Sequence, residues 1–198
     1  MDRAIGKVIN HLETSGKADQ SLVIFTSDNG SLFENLPLRA KKGYLYEGGI
    51  RVPWIMRWPS EIEAGKTSSL PVISSDLFPT LLDVAGWKLS ETDPLDGESL
   101  KGWILGEIPL KRGALYFHYP NYAFHKNNRL SSAMRKGHHK LIHFYDDDSL
   151  ELYDLEKDLA ESKDLSASSR ELARALKLEL DQWRQRTRAI APTRVALP

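Results

Sequence analysis

The stretch Leu22–Pro53, LVIFTSDNGSLFENLPLRAKKGYLYEGGIRVP, constrains this chain more than any other. It opens on Leu22-Val23-Ile24-Phe25, an apolar run too short for a helix and rich in β-branched and aromatic residues. That composition predicts a buried strand. Thr26-Ser27-Asp28-Asn29-Gly30 follows at once. In an open α/β sheet, the loop at the carboxyl end of a strand is where ligands bind. Asp28 and Asn29 offer a carboxylate and an amide carbonyl there, hard oxygen donors that suit calcium or magnesium. Further on, Lys41-Lys42 precede Tyr46-Glu47-Gly48-Gly49, which adds cations to the oxygens and outlines a cradle for an oxyanion. Asp-Asn-Gly is equally the composition of an ordinary turn, because Asn and Gly tolerate positive φ.

The rest of the chain reads as two successive patterns. Ile5, Val8, Ile9 and Leu12 recur at helical spacing, and the helix they define ends near Ser15-Gly16. A helix leading through a short polar loop into the strand at Leu22 is half of an α/β unit. Val52 to Trp58 reads as a second strand, closed by Pro59. Ser74-Ser75-Asp76 caps a helix carrying Leu77, Leu81, Leu82 and Val84, with Pro79 tolerated in its first turn. Leu95 to Leu105 is a short helix or loop. From about Arg112 the pattern changes to short strands, Ala114–Tyr119, Ser132–Arg135, Lys140–Tyr145 and Leu150–Asp154. An amphipathic helix from about Ser168 to Arg188, marked by Leu172, Leu176, Leu180 and Trp183, follows them. The expected architecture is therefore α/β for residues 1–110, followed by a small antiparallel sheet with a covering helix (α+β) over 111–198.

Composition removes several classes of function. Lys plus Arg and Asp plus Glu number 27 each, so no net field favours nucleic acid or an anionic membrane. There is no cysteine, which excludes disulfides, thiolate metal sites and a cysteine nucleophile within these residues. No apolar run approaches a membrane span, and the N-terminal residues lack a secretory h-region.

Taken together in order, T-S-D-N-G, L-R-x-K-K-G and Y-E-G-G-I-R-V-P resemble the sulfatase family, the arylsulfatase branch of the alkaline-phosphatase-like superfamily. The resemblance continues through Ser75–Gly86, through the D-G-x-S-L of Asp96–Leu100 and through Met134–Ile142. It implies a partial alkaline-phosphatase-like sheet with helices, and hydrolysis of sulfate esters. Asp28 and Asn29 correspond to calcium ligands, and Lys42 to the lysine that contacts sulfate and serves catalysis. Lys41 stands where many relatives have glycine. His118, in the loop His118–His125, is the candidate contact to the organic part of a sulfated small molecule or sugar. Glu47 and Arg51 are assigned to structure, as a pair that holds the loop.

The family nucleophile is a formylglycine made from a C/S-x-P-S/A-R motif, and these residues contain neither a cysteine nor a Ser-x-Pro-x-Arg. The aspartate pair and the upstream histidine and lysine of the family are likewise not found. Two readings follow: the C-terminal portion of a sulfatase, inactive alone and binding calcium weakly, or a non-catalytic binding or assembly module that keeps this fold. Open sheet edges make self-association an expectation. A complete family member is expected in the periplasm or outside the cell. His138 and His139, neighbours on a strand, are expected to point to opposite faces, and His139 with His143 lacks a third zinc ligand. Asp146-Asp147-Asp148-Ser149 is expected to be a hairpin turn.

Overall fold

A computed structural model describes residues 1–88, 90, 95–122 and 127–192. His125, singled out above with His118, lies outside the described residues. The chain divides into two compact units, Met1–Asp28 with Pro53–Arg112 and Asn29–Val52 with Gly113–Pro198. Asn29–Val52 thus belongs with the residues after Arg112 rather than with those around it in sequence.

In the first unit, α1 (Asp2–Thr14) carries the expected amphipathic pattern and buries none of its residues completely. Strand β1 (Val23–Thr26) pairs antiparallel with β2 (Trp54–Arg57), Val23 opposite Arg57 and Thr26 opposite Trp54. Helix α3 (Leu77–Val84) is followed by the short α4 (Lys101–Ile104). What joins these helices is Asp76. Its carboxylate, wholly buried, accepts the backbone N–H groups of Ile73 (2.9 Å) and Glu98 (3.0 Å) and both arms of the Arg112 guanidinium (2.5 and 3.2 Å). A buried carboxylate persists only when charge and hydrogen bonds replace its water, and Asp76 has both. Thr80 extends the lock, donating to the Asp76 carbonyl (2.6 Å) and accepting from the Leu100 N–H (2.9 Å). The S-S-D and D-G-x-S-L segments are therefore one structural joint.

The second unit is built on a four-stranded antiparallel sheet in sequence order, β3 (Ala114–Tyr119), β4 (Ser131–Lys136), β5 (His139–Phe144) and β6 (Leu150–Asp154). Side chains alternate across it. Met134, Leu141 and Leu152 face α5 (Arg170–Thr187), where they meet Ala173, Leu176 and Leu180. Trp183 stacks flat on Tyr116, ring centroids 4.7 Å apart. The other face carries Ala133, Ile142, Phe144, Tyr153 and Leu155, and these pack on Leu45 and Tyr46. The segment 29–52 is thus the second cover of this sheet, which is why it leaves the first unit. Burying each such Leu or Ile contributes about 1.5–3 kcal/mol.

Tyr46-Glu47-Gly48-Gly49 contains the single helical turn α2 (Glu47–Ile50). The acidic triplet is a turn, as expected, but its carboxylates are engaged: Asp146 and Asp147 bind Arg129 (2.7 and 2.6 Å), and Asp148 meets His143 Nε2 (2.6 Å).

Candidate functional site

The oxygen-bearing loop begins where the sequence puts it. Strand β1 ends at Thr26, and the exposed Asp28 is the second residue beyond it, with the Ser27 hydroxyl donating to its Oδ1 at 3.3 Å. Asn29, half-buried, is the next residue and opens the second unit.

From Asn29 onward the segment is tied to itself by main-chain hydrogen bonds. Gly30 N–H donates to the Gly49 carbonyl (2.9 Å), Lys42 N–H to the Ser31 carbonyl (2.8 Å) and Gly48 N–H to the Arg39 carbonyl (2.9 Å). The Lys42 main chain is consequently fixed beside Ser31, two residues after Asn29. This closeness depends on the two glycines. A Cβ on Gly48 would lie 2.3 Å from the Ala40 carbonyl oxygen, and one on Gly49 would lie 2.0 Å from that of Tyr44. Both separations are far inside contact distance, so only glycine fits.

Beneath this loop lies a charged cluster that the sequence did not announce. Lys140, on β5, is fully buried, with its ammonium 3.0 Å from Glu47 and 2.8 Å from Glu161. Glu161 also accepts the Glu47 backbone N–H at 2.6 Å. The expected Glu47–Arg51 pair is present at 3.3 Å, but Lys140 is the closer partner. Burial by itself would raise the Glu47 carboxyl; the charge and hydrogen bond of Lys140 outweigh it and hold Glu47 below the usual range. For Glu161 burial wins and the carboxyl sits above that range.

A second cluster fixes the same segment to β6. Arg39 donates to the Tyr153 hydroxyl (2.7 Å) and the Glu161 carbonyl (2.9 Å) and stacks over the Tyr46 ring at 4.0 Å. The Tyr46 and Tyr153 hydroxyls both donate to Glu151 Oε2 (2.6 and 2.7 Å). Burial and the Glu151 carboxylate push both phenols well above their ordinary values, so they remain hydrogen-bond donors. In front of the cluster is a cavity of about 600 Å³ whose walls include Arg39, Lys41, Tyr44, Tyr46, Arg129 and Phe144. Lys41 is part of that wall.

His118 falls elsewhere. It lies on the helix-covered face of the sheet, and its Nδ1 is 2.7 Å from the Ser132 hydroxyl while its Nε2 is 3.1 Å from the Ile190 carbonyl. The sheet separates it from the segment that carries Lys42. Both ring nitrogens are engaged in packing contacts, so this geometry lends no support to the expected substrate contact. Alternation along β3 explains the outcome: Phe117 and Tyr119 take the face toward 29–52, leaving His118 the other. His138 and His139 also depart from expectation. Gly137 and His138 form the turn between β4 and β5, so His138 escapes the strand alternation, and the two rings lie 4.1 Å apart.

Comparison with known proteins gives these features a context. Residues 40–186 match the family model described as N-sulphoglucosamine sulphohydrolase, C-terminal. A sulfatase of Formosa agariphila is 34% identical over 92% of this chain, and an N-acetylglucosamine-6-O-sulfatase of Bacteroides thetaiotaomicron is 35% identical over 83% of it. The chain spans only 38% and 30% of those relatives. A protein solved in complex with its substrate D-glucosamine-2-N,6-O-disulfate superposes with a TM-score of 0.78 at 32% identity. That superposition covers 93% of this chain and 38% of the solved one.

Proposed function

Because this chain belongs to the sulfatase family and corresponds to its C-terminal part, we propose that it supplies the lysine and part of the calcium site of an enzyme that hydrolyses sulfate esters of sugars. The observation that carries the reading is the Lys42–Ser31 main-chain hydrogen bond, which fixes Lys42 beside the loop that Asn29 opens. In sulfate ester hydrolysis, negative charge grows on the sulfuryl and leaving oxygens. Cations set in advance around those oxygens lower the barrier because they need no reorganisation as the charge develops.

Asp28 and Asn29 are the residues assigned to calcium. Their donor set fits, since both present hard oxygens, but calcium takes about six to eight of them and these two residues supply a minority. When bound, the ion stabilises negative charge on a sulfate oxygen. Lys42 binds and orients the sulfate. Glu47, Lys140 and Glu161 act through the main chain, holding the turn that keeps Gly48 and Gly49 against the Lys42 segment. The cavity walled by Lys41, Arg39, Tyr44 and Tyr46 offers cations and aromatic faces to a sugar. The substrate of the solved relative, a glucosamine disulfate, supports a sulfated sugar as the class.

The nucleophile expected for the family, a formylglycine, has no precursor among these 198 residues. We therefore assign it to another polypeptide segment and expect the chain alone to be inactive. The test assays the chain with calcium against a panel of sulfated glucosamines and aryl sulfates. It is assayed by itself, then with a polypeptide supplying the formylglycine-bearing N-terminal part. Turnover only in the mixture supports the assignment. Turnover by the chain alone, or by neither, overturns it.

A further inference from the structure

We propose that His138, His139 and Asp154 form a binding site for a divalent transition-metal ion of the zinc class, separate from the calcium residues. Three features of the second unit produce it. Gly137, with φ +60°, makes the tight turn between β4 and β5, and the turn swings His138 over His139, the rings 4.1 Å apart. In the β5–β6 register, His139 stands directly opposite Asp154. One ligand atom from each of the three residues then lies within 4.8 Å of the others.

The donor set selects the ion. Two imidazole nitrogens and one carboxylate oxygen suit zinc, copper or nickel, whereas calcium and magnesium want oxygens alone. With zinc–ligand bonds of about 2.0–2.2 Å, tetrahedral ligands on one ion stand about 3.3–3.6 Å apart, so side-chain movements of roughly 1–1.5 Å close the set. His138 is exposed and sits in a turn, so it can make that movement. Three protein ligands leave a fourth position for water.

The surroundings prepare the ligands. Asp154 is largely buried, and its Oδ1 accepts the Glu156 backbone N–H at 3.1 Å, which orients the carboxylate as outer-shell bonds do in metal sites. Its Oδ2 already holds a cation, the Lys157 ammonium at 3.4 Å. That side chain is 80% exposed, so the pair is weak and easily displaced.

The experiment titrates zinc into the complete 198-residue chain at neutral pH, with a chromophoric zinc indicator as competitor. NMR of the histidine side chains is recorded in parallel. The expected result is uptake of one equivalent, with the ring signals of His138 and His139 shifting together. Calcium in excess does not displace the zinc. His138→Ala, at an exposed turn position, keeps the native circular dichroism and weakens binding at least about tenfold; His139→Ala weakens it as much. Lys157→Ala binds as tightly or more tightly. No uptake overturns the proposal, as does unchanged affinity in a folded His138→Ala. Ring shifts confined to other histidines also overturn it.

Discussion

Replacing Lys140 by methionine tests whether the buried triad holds the segment that carries Lys42. The side chain has no solvent exposure and stands between Glu47 at 3.0 Å and Glu161 at 2.8 Å, both also buried. Methionine fills a similar volume, so the loss is chiefly of charge. Two buried carboxylates then remain, with Arg51, 46% exposed, at 3.3 Å from Glu47 and Arg135 as a further neighbouring charge. Removing one member of a buried ion pair costs about 3–5 kcal/mol, mostly from the charge left behind. With a urea slope of about 2 kcal/mol per molar, the unfolding midpoint of the second unit drops by roughly 1.5–2.5 M. Amide hydrogen exchange in β4 and β5 during the titration reports that unit directly. Adding Glu47→Gln and Glu161→Gln to Lys140→Met restores much of the loss, because the stranded charges are gone. The pH dependence has a definite sign. Glu47 is held below its usual value, so its contribution is complete above about pH 4.5 and disappears as pH falls through the folded value. The gap between wild type and Lys140→Met therefore narrows in acid. A midpoint within about 0.3 M of wild type, or no recovery in the triple variant, refutes the reasoning.

Arg112→Ala strips Asp76 of its guanidinium inside the first unit and is expected to cost about 3–5 kcal/mol there, read as lost exchange protection in α3. Gly49→Ala places a methyl 2.0 Å from the Tyr44 carbonyl oxygen; the expected outcome is loss of amide protection at Gly30 and Lys42, and native protection at both would refute the packing argument. His143 sits below its ordinary value because it is buried, its hydrogen bond to Asp148 notwithstanding. It therefore contributes stability above about pH 6.5 that is lost on acidification. His143→Gln should flatten the fall in Tm between about pH 7 and pH 5, and an unchanged slope would contradict that account.

Local pattern carried most of the secondary structure. The four strands of the second sheet and α5 were legible because period-two and period-3.6 apolar spacing is a direct record of which faces are buried. The T-S-D-N-G position was legible because a strand followed by oxygen side chains is a local signal. The packing of 29–52 on the second sheet was not, since it depends on contacts between Tyr46 and residues such as Tyr153 more than a hundred positions away. Lys140 is legible only as the start of a strand; nothing nearby in sequence reveals that Glu47 and Glu161 come to meet it. The face of His118 followed from register, and alternation through Phe117 and Tyr119 could have revealed it. His138 was misread because Gly137 was not taken as the first residue of a two-residue turn.

The central claim is that Lys42, rather than its neighbour Lys41, is the sulfate-binding cation of a sulfatase active site. The measurement is kcat/KM for a sulfated glucosamine in the complemented protein, compared among wild type, Lys42→Ala and Lys41→Ala. Loss of one positioned electrostatic donor costs about 10²–10³-fold, so Lys42→Ala should fall by that much while Lys41→Ala stays within about tenfold. An equal fall in both, or a Lys42→Ala protein as active as wild type, contradicts the account.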